Sequence, residues 1–120
     1  MTTTRLILTL AVSLYFLSSG CKDQGTTEVT TISLKNTQIY QYPTVGGDEE
    51  GATIVSQAKH YTISEIRRNQ ETNWIAVYFY QPRPGFVGSD YVELEIRAGS
   101  DGASQPTKIK RIALNFQIGN

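Results

Sequence analysis

Few side chains in this 120-residue sequence are of kinds that do chemistry, and their spacing decides what is open to them. His60 is the only histidine and Cys21 the only cysteine. A nucleophile relay needs a hydroxyl or thiol beside a base, and a zinc site needs several His, Cys or carboxylate ligands. No Gly-x-Ser-x-Gly elbow is present, and no glycine-rich loop precedes a helix. The sequence therefore predicts no catalytic residue, no metal site and no cofactor. An enzyme would have to assemble Asp90, Glu93, Glu95 or an acidic loop with His60. That loop, residues 46–51, carries Asp48, Glu49 and Glu50 between glycines. Its carboxylates could offer oxygens to Ca²⁺, but the alternating Asp/Asn spacing of a calcium loop is missing. A solvated turn is the simpler reading.

Binding chemistry is better represented. Tyr40, Tyr42, Trp74, Tyr78, Tyr80 and Tyr91 outnumber the aromatics that one small core needs. Rings that reach the surface suit sugar or protein contacts, being large, rigid and amphipathic. Tyr91, in phase with Glu93 and Glu95, is the foremost ligand-binding candidate, followed by Tyr40 and Tyr42 beside Pro43. The plainer alternative for all of them is cross-strand packing.

The elements that must position these residues are strands. Residues 28–34 alternate through a β-branched run, 38–42 is short and ends at Pro43, and 53–55 and 60–66 follow. Residues 74–80, Trp-Ile-Ala-Val-Tyr-Phe-Tyr, are apolar on both faces and predict a central, doubly covered strand. Across 90–97, Val92, Leu94 and Ile96 face inward while Tyr91, Glu93 and Glu95 face out. Residues 99–106 form a Gly/Ser/Asp loop, and 108–118 place Ile112, Leu114, Phe116 and Ile118 on the core side. About seven short strands with turns at regular intervals predict an all-β, antiparallel sandwich of one domain, residues 28–120. Eleven Lys+Arg against eleven Asp+Glu give zero formal charge, which removes the electrostatic case for nucleic acid.

The beginning of the chain follows a different logic. Arg5 precedes an apolar stretch, residues 6–17, then Ser18, Ser19, Gly20 and Cys21. Charge, apolar run and small residues in that order describe a secretory signal. About a dozen helical residues span roughly 18 Å, short of a ~30 Å hydrocarbon core. Leu17-Ser18-Ser19-Gly20-Cys21 resembles the lipobox of bacterial lipoproteins, with Ser18 where a branched aliphatic is usual. The resemblance implies residues 1–20 as signal peptide, lipidation of Cys21, residues 21–27 as tether, and an exported, lipid-anchored envelope location, periplasmic or outward-facing.

Tyr80-Gln81-Pro82-Arg83-Pro84-Gly85-Phe86-Val87-Gly88-Ser89-Asp90 and the strand after it resemble the hallmark of bacterial Ig-like and cadherin-like repeats. The similarity covers about residues 51–118 and implies an Ig-like fold without naming a ligand. Its parts also have direct physical readings. Pro82 and Pro84 stiffen a crossover, Gly85 and Gly88 permit angles that a Cβ opposes, and Asp90 can accept loop amides. Together these features predict a non-enzymatic binding or structural module whose partners are the membrane, through lipid on Cys21, and an envelope protein or extracellular glycan. The alternative is a protease inhibitor acting through loops 46–51 and 82–88.

Overall fold

The computed structural model describes residues 25–44, 51–99 and 108–120. Cys21, the apolar run before it, the carboxylates of residues 48–50 and most of the 99–106 loop lie outside the described residues. Among the described residues there are seven strands: β1 (Thr27–Lys35), β2 (Tyr40–Pro43), β3 (Gly51–Ser56), β4 (Tyr61–Arg67), β5 (Val77–Pro82), β6 (Gly88–Ala98) and β7 (Lys108–Gly119). They form a four-stranded sheet, β1-β7-β6-β3, and a three-stranded sheet, β2-β5-β4. The fold is the all-β sandwich expected from the alternation. One pairing departs from the antiparallel expectation: β1 runs parallel to β7, from Thr27 opposite Arg111 to Lys35 opposite Gly119. Alternation fixes which face a side chain takes and leaves the choice of neighbour open.

Period-two burial builds the core. Val92, Leu94 and Ile96 of β6 and Ile112, Leu114, Phe116 and Ile118 of β7 are buried, as the alternation predicts. The three-stranded sheet faces them with tyrosines. Tyr40 pairs with Tyr80 and Tyr42 with Tyr78, and Tyr78 and Tyr80 are fully buried. Tyr80 stacks on Phe116 with centroids 3.9 Å apart, and Tyr40 meets the same ring edge-on at 5.5 Å. Aromatic pairs of this kind add roughly 1 kcal/mol beyond their buried area.

β5 lies between β2 and β4, as its apolar residues predict, but it begins at Val77 rather than Trp74. Asn69 caps a single turn of 3₁₀ helix, Gln70–Thr72, and the chain leaves it through left-handed Asn73 (φ 50°) and Trp74 (φ 61°). The reversal lifts Trp74 out of the sheet and leaves it 63% exposed.

The strand directions define two ends. At one, Pro43 pairs with Val77, Gly51 with Arg97, and Thr27 with Arg111. Residues 57–60 join β3 to β4 at the other, where the Arg83–Phe86 turn closes through an amide hydrogen bond of 3.0 Å. Gly85 (φ 77°) and Gly88 (φ 142°) take the positive angles expected of them, and Phe86 packs against the core.

Candidate functional site

The three tyrosines singled out as ligand contacts fall in two places. Tyr40 and Tyr42 are partly buried against the core, in the layer of the three-stranded sheet. Their excess over the needs of one core is explained by the four-tyrosine inner face to which they belong. Tyr91 stands on the outer face of the four-stranded sheet and is 39% exposed. The structure therefore separates Tyr91 from the other two.

Asp90 positions Tyr91. Its carboxylate accepts the Lys59 and His60 amides, each at 2.9 Å, the Tyr91 amide at 2.9 Å and the Tyr80 hydroxyl at 2.8 Å. One buried side chain thus ties β6 to the 57–60 connection and to the opposite sheet. Desolvation, the largest single influence, works to raise its pKa, yet the four hydrogen bonds together hold it below the usual aspartate value. Burial, and then the bond to Asp90, push the Tyr80 hydroxyl well above the ordinary phenol range. Asp90 also sets the amide of Tyr91, while the Tyr91 hydroxyl donates to Glu93 Oε2 at 2.8 Å. The Glu93 bond, and then burial, raise the Tyr91 pKa, so the phenol stays a neutral donor.

Around Tyr91 the sheet register lays out rows of polar side chains. Thr31, Asn115 and Tyr91 stand side by side across β1, β7 and β6, and Ser33, Gln117 and Ser89 form the next row. The Ser89 hydroxyl donates to Gln117 Oε1 at 3.1 Å. Thr31, Asn115, Tyr91, Ser89 and Gln117, with Gln57, Lys59 and His60 from the 57–60 connection, border a groove of about 540 Å³. His60 stacks on Phe86 with centroids 4.2 Å apart, which fixes its ring at the rim.

Further along the same face the character turns ionic. Glu95 faces outward, as predicted, but is only 5% exposed. Arg97 and Arg111 cover it, with contacts of 2.6 Å and 3.1 Å, and Arg111 reaches Glu93 at 3.4 Å. The Arg97 hydrogen bond, opposed by desolvation and joined by Arg111, lowers the Glu95 pKa. The sequence could not announce this cover, because Arg111 meets Glu95 only through the β6–β7 register. Asp90 and Glu95 are both held in the ionised form, which suits accepting hydrogen bonds and makes them poor proton donors at neutral pH. Among the described residues, no group of three or more His, Cys, Asp or Glu could hold a metal ion. The face can align hydroxyl, amide and phenol groups along a ligand that carries complementary hydroxyls.

No family model and no curated protein matches the chain. Among solved structures it is similar to the cysteine protease inhibitor EhICP2 from Entamoeba histolytica at 14% identity, covering 77% of this chain and 88% of that one, with a TM-score of 0.45. It is also similar to an endo-fucoidan hydrolase of glycoside hydrolase family 107 at 14% identity and a TM-score of 0.48, covering 78% of this chain and 13% of the hydrolase. A sialyltransferase from Photobacterium damsela aligns at 10% identity and a TM-score of 0.36, over 78% of this chain and 18% of the enzyme.

Proposed function

We propose that this chain is a non-enzymatic binding module, anchored by lipid on Cys21 at a bacterial cell envelope, that recognises an extracellular glycan through the groove beside Tyr91. The observation that carries the ligand reading is the composition of that groove. Neutral donors and acceptors, Thr31, Ser89, Asn115 and Gln117, with the cationic Lys59 beside them, surround one aromatic residue whose hydroxyl and backbone are both held. Sugars present alternating hydroxyls and apolar C–H faces, and a polar sheet with a fixed ring matches both. Asp90 and Glu95, two of the carboxylates an enzyme could use, are already engaged in the fold, which supports the non-enzymatic reading.

The test is a glycan array probed with the intact chain and with Tyr91→Ala. Binding to at least one glycan class, weakened about tenfold or more by the substitution, is expected for loss of a central aromatic contact. An empty array, together with Tyr91-dependent capture of a protein from detergent-solubilised envelopes, would move the assignment to an envelope protein. If both came back empty, the groove would have no binding role. The anchor is tested separately, by the mass of the mature N-terminus with and without inhibition of signal peptidase II. An N-terminus other than an acylated Cys21 would remove it.

Inhibition of a protease is the second reading, favoured by the well-braced turn from Arg83 to Phe86. The two loops suspected for it leave opposite ends of the sandwich: Thr44 and Gly51 flank one, beside Ala76 and Arg97, while Pro82 begins the other, opposite Tyr61. A single loop would have to enter the cleft. Titration against serine and cysteine proteases with no loss of activity at micromolar protein would end this reading.

A further inference from the structure

The end of the sandwich farther from the 57–60 connection carries exposed apolar residues that the Tyr91 groove does not use. Trp74 is 63% exposed, Ile75 beside it 40%, and Ile109, at the start of β7, 52%. The backbone under Trp74 is held in place. Asn69 Oδ1 accepts the Thr72 amide at 3.2 Å, the Thr72 hydroxyl accepts the Asn69 amide at 3.0 Å, and the Trp74 amide donates to Asn69 O at 2.8 Å. A left-handed conformation is costly for a bulky L-residue and persists where its surroundings over-determine it. Here those surroundings hold an indole out of the core.

Topology adds the second observation. β1 starts at Thr27, opposite Arg111, at this same end of the fold. Six residue steps separate Cys21 from Thr27, at most about 20 Å of extended chain. A lipid on Cys21 would therefore keep the Trp74 end within about 20 Å of a bilayer surface. Indole is the side chain most at home at headgroup depth, where its apolar body leaves water and its N–H stays hydrogen-bonded. Charge at this end is mixed. Arg67 pairs with Glu65 and Lys110 with Glu28, and Arg68 and Lys108 lie near them. The fitting surface is accordingly a zwitterionic one.

We propose that Trp74, with Ile75, is an interfacial membrane anchor that seats this end of the domain on the bilayer holding Cys21. The groove beside Tyr91 then lies toward the end of the sandwich away from the membrane, open to its ligand. The inference rests on the Cys21 anchor for proximity, while the insertion itself belongs to Trp74.

Trp74 is the only tryptophan in the chain, so its fluorescence reports on this contact alone. The intact protein, purified from membranes, is placed in phosphatidylcholine vesicles with plain or brominated acyl chains. Blue-shifted emission that bromolipid quenches is expected. Val87→Trp in a Trp74→Phe background puts the probe at the opposite end and should remain solvent-like and unquenched. Solvent-like, unquenched Trp74 emission would overturn the proposal, as would equal quenching of both probes. So would a blue shift that appears only when solubilised envelope proteins are added, which would mark a protein partner instead. The intact mass of the same preparation reports acylation independently. Should it be absent, the free Cys21 thiol is coupled to a maleimide lipid and the same readings decide the role of Trp74.

Discussion

Asp90 is one carboxylate shared by four donors, and that arrangement makes it the residue whose loss the fold should feel most. Asp90→Asn keeps the shape, removes the charge and turns one acceptor into a donor facing other donors. A cost of about 3 kcal/mol is expected from the lost charged hydrogen bonds and the unsatisfied groups left behind, read as a lower urea midpoint. The same residue, with Glu95, sets the acid limit. Both have folded-state pKa values below their ordinary ones, so on acidification the unfolded chain takes up protons first. Their contribution is complete above the ordinary carboxylate range and is lost as pH falls from about 5 through the folded values. The urea midpoint should therefore drop between pH 6 and pH 3, and less steeply in Asp90→Asn. An unchanged slope in that variant would deny Asp90 its share. The sequence allowed Asp90 to be read as an acceptor of loop amides, because a short acid before an alternating strand suggests that role. It could not supply the Tyr80 bond, which depends on two sheets facing each other.

The β4–β5 connection shows where local pattern and structure part. A run of seven apolar residues predicts a strand from Trp74, and nothing in its periodicity distinguishes Trp74 from Val77. The distinction comes from Asn69 and Thr72, which satisfy each other's backbone and terminate a 3₁₀ turn before the strand can begin. Asn69→Ala should cost about 1 kcal/mol by removing this cap, measured by urea unfolding. Trp74→Gly is the sharper experiment. A buried tryptophan cut to a small residue costs about 3–5 kcal/mol. Here relief of the left-handed strain offsets the added freedom that glycine gives the unfolded chain, so stability should stay within about 0.5 kcal/mol. A loss above 2 kcal/mol would make Trp74 a packing residue after all. The opposite holds for the inward residues of β6 and β7, which are legible from their alternation, although outward Glu95 and Ala113 are covered as well.

At the scale of the whole molecule, the order of strands in space is what the sequence leaves least visible, and it governs how the domain is completed. β7 is last in the chain but interior in its sheet, with β6 on one side and β1, the first strand, on the other. The four-stranded sheet cannot close until both extremes of the described chain are present. Four residues of the packed core cluster, Ile112, Leu114, Phe116 and Ile118, also arrive with β7, and Phe116 is the ring on which Tyr80 stacks and which Tyr40 meets. A chain ending at residue 107 would keep six of these strands yet leave β1 without the neighbour it pairs with among the described residues, and uncover the tyrosine face. At about 2–5 kcal/mol for each large buried side chain lost, the deficit is as large as the roughly 5–15 kcal/mol by which domains are stable. The truncated chain should show no cooperative urea transition and poor amide dispersion in its NMR spectrum. A sigmoidal transition with the slope of the full chain would mean that β1–β6 form a core of their own.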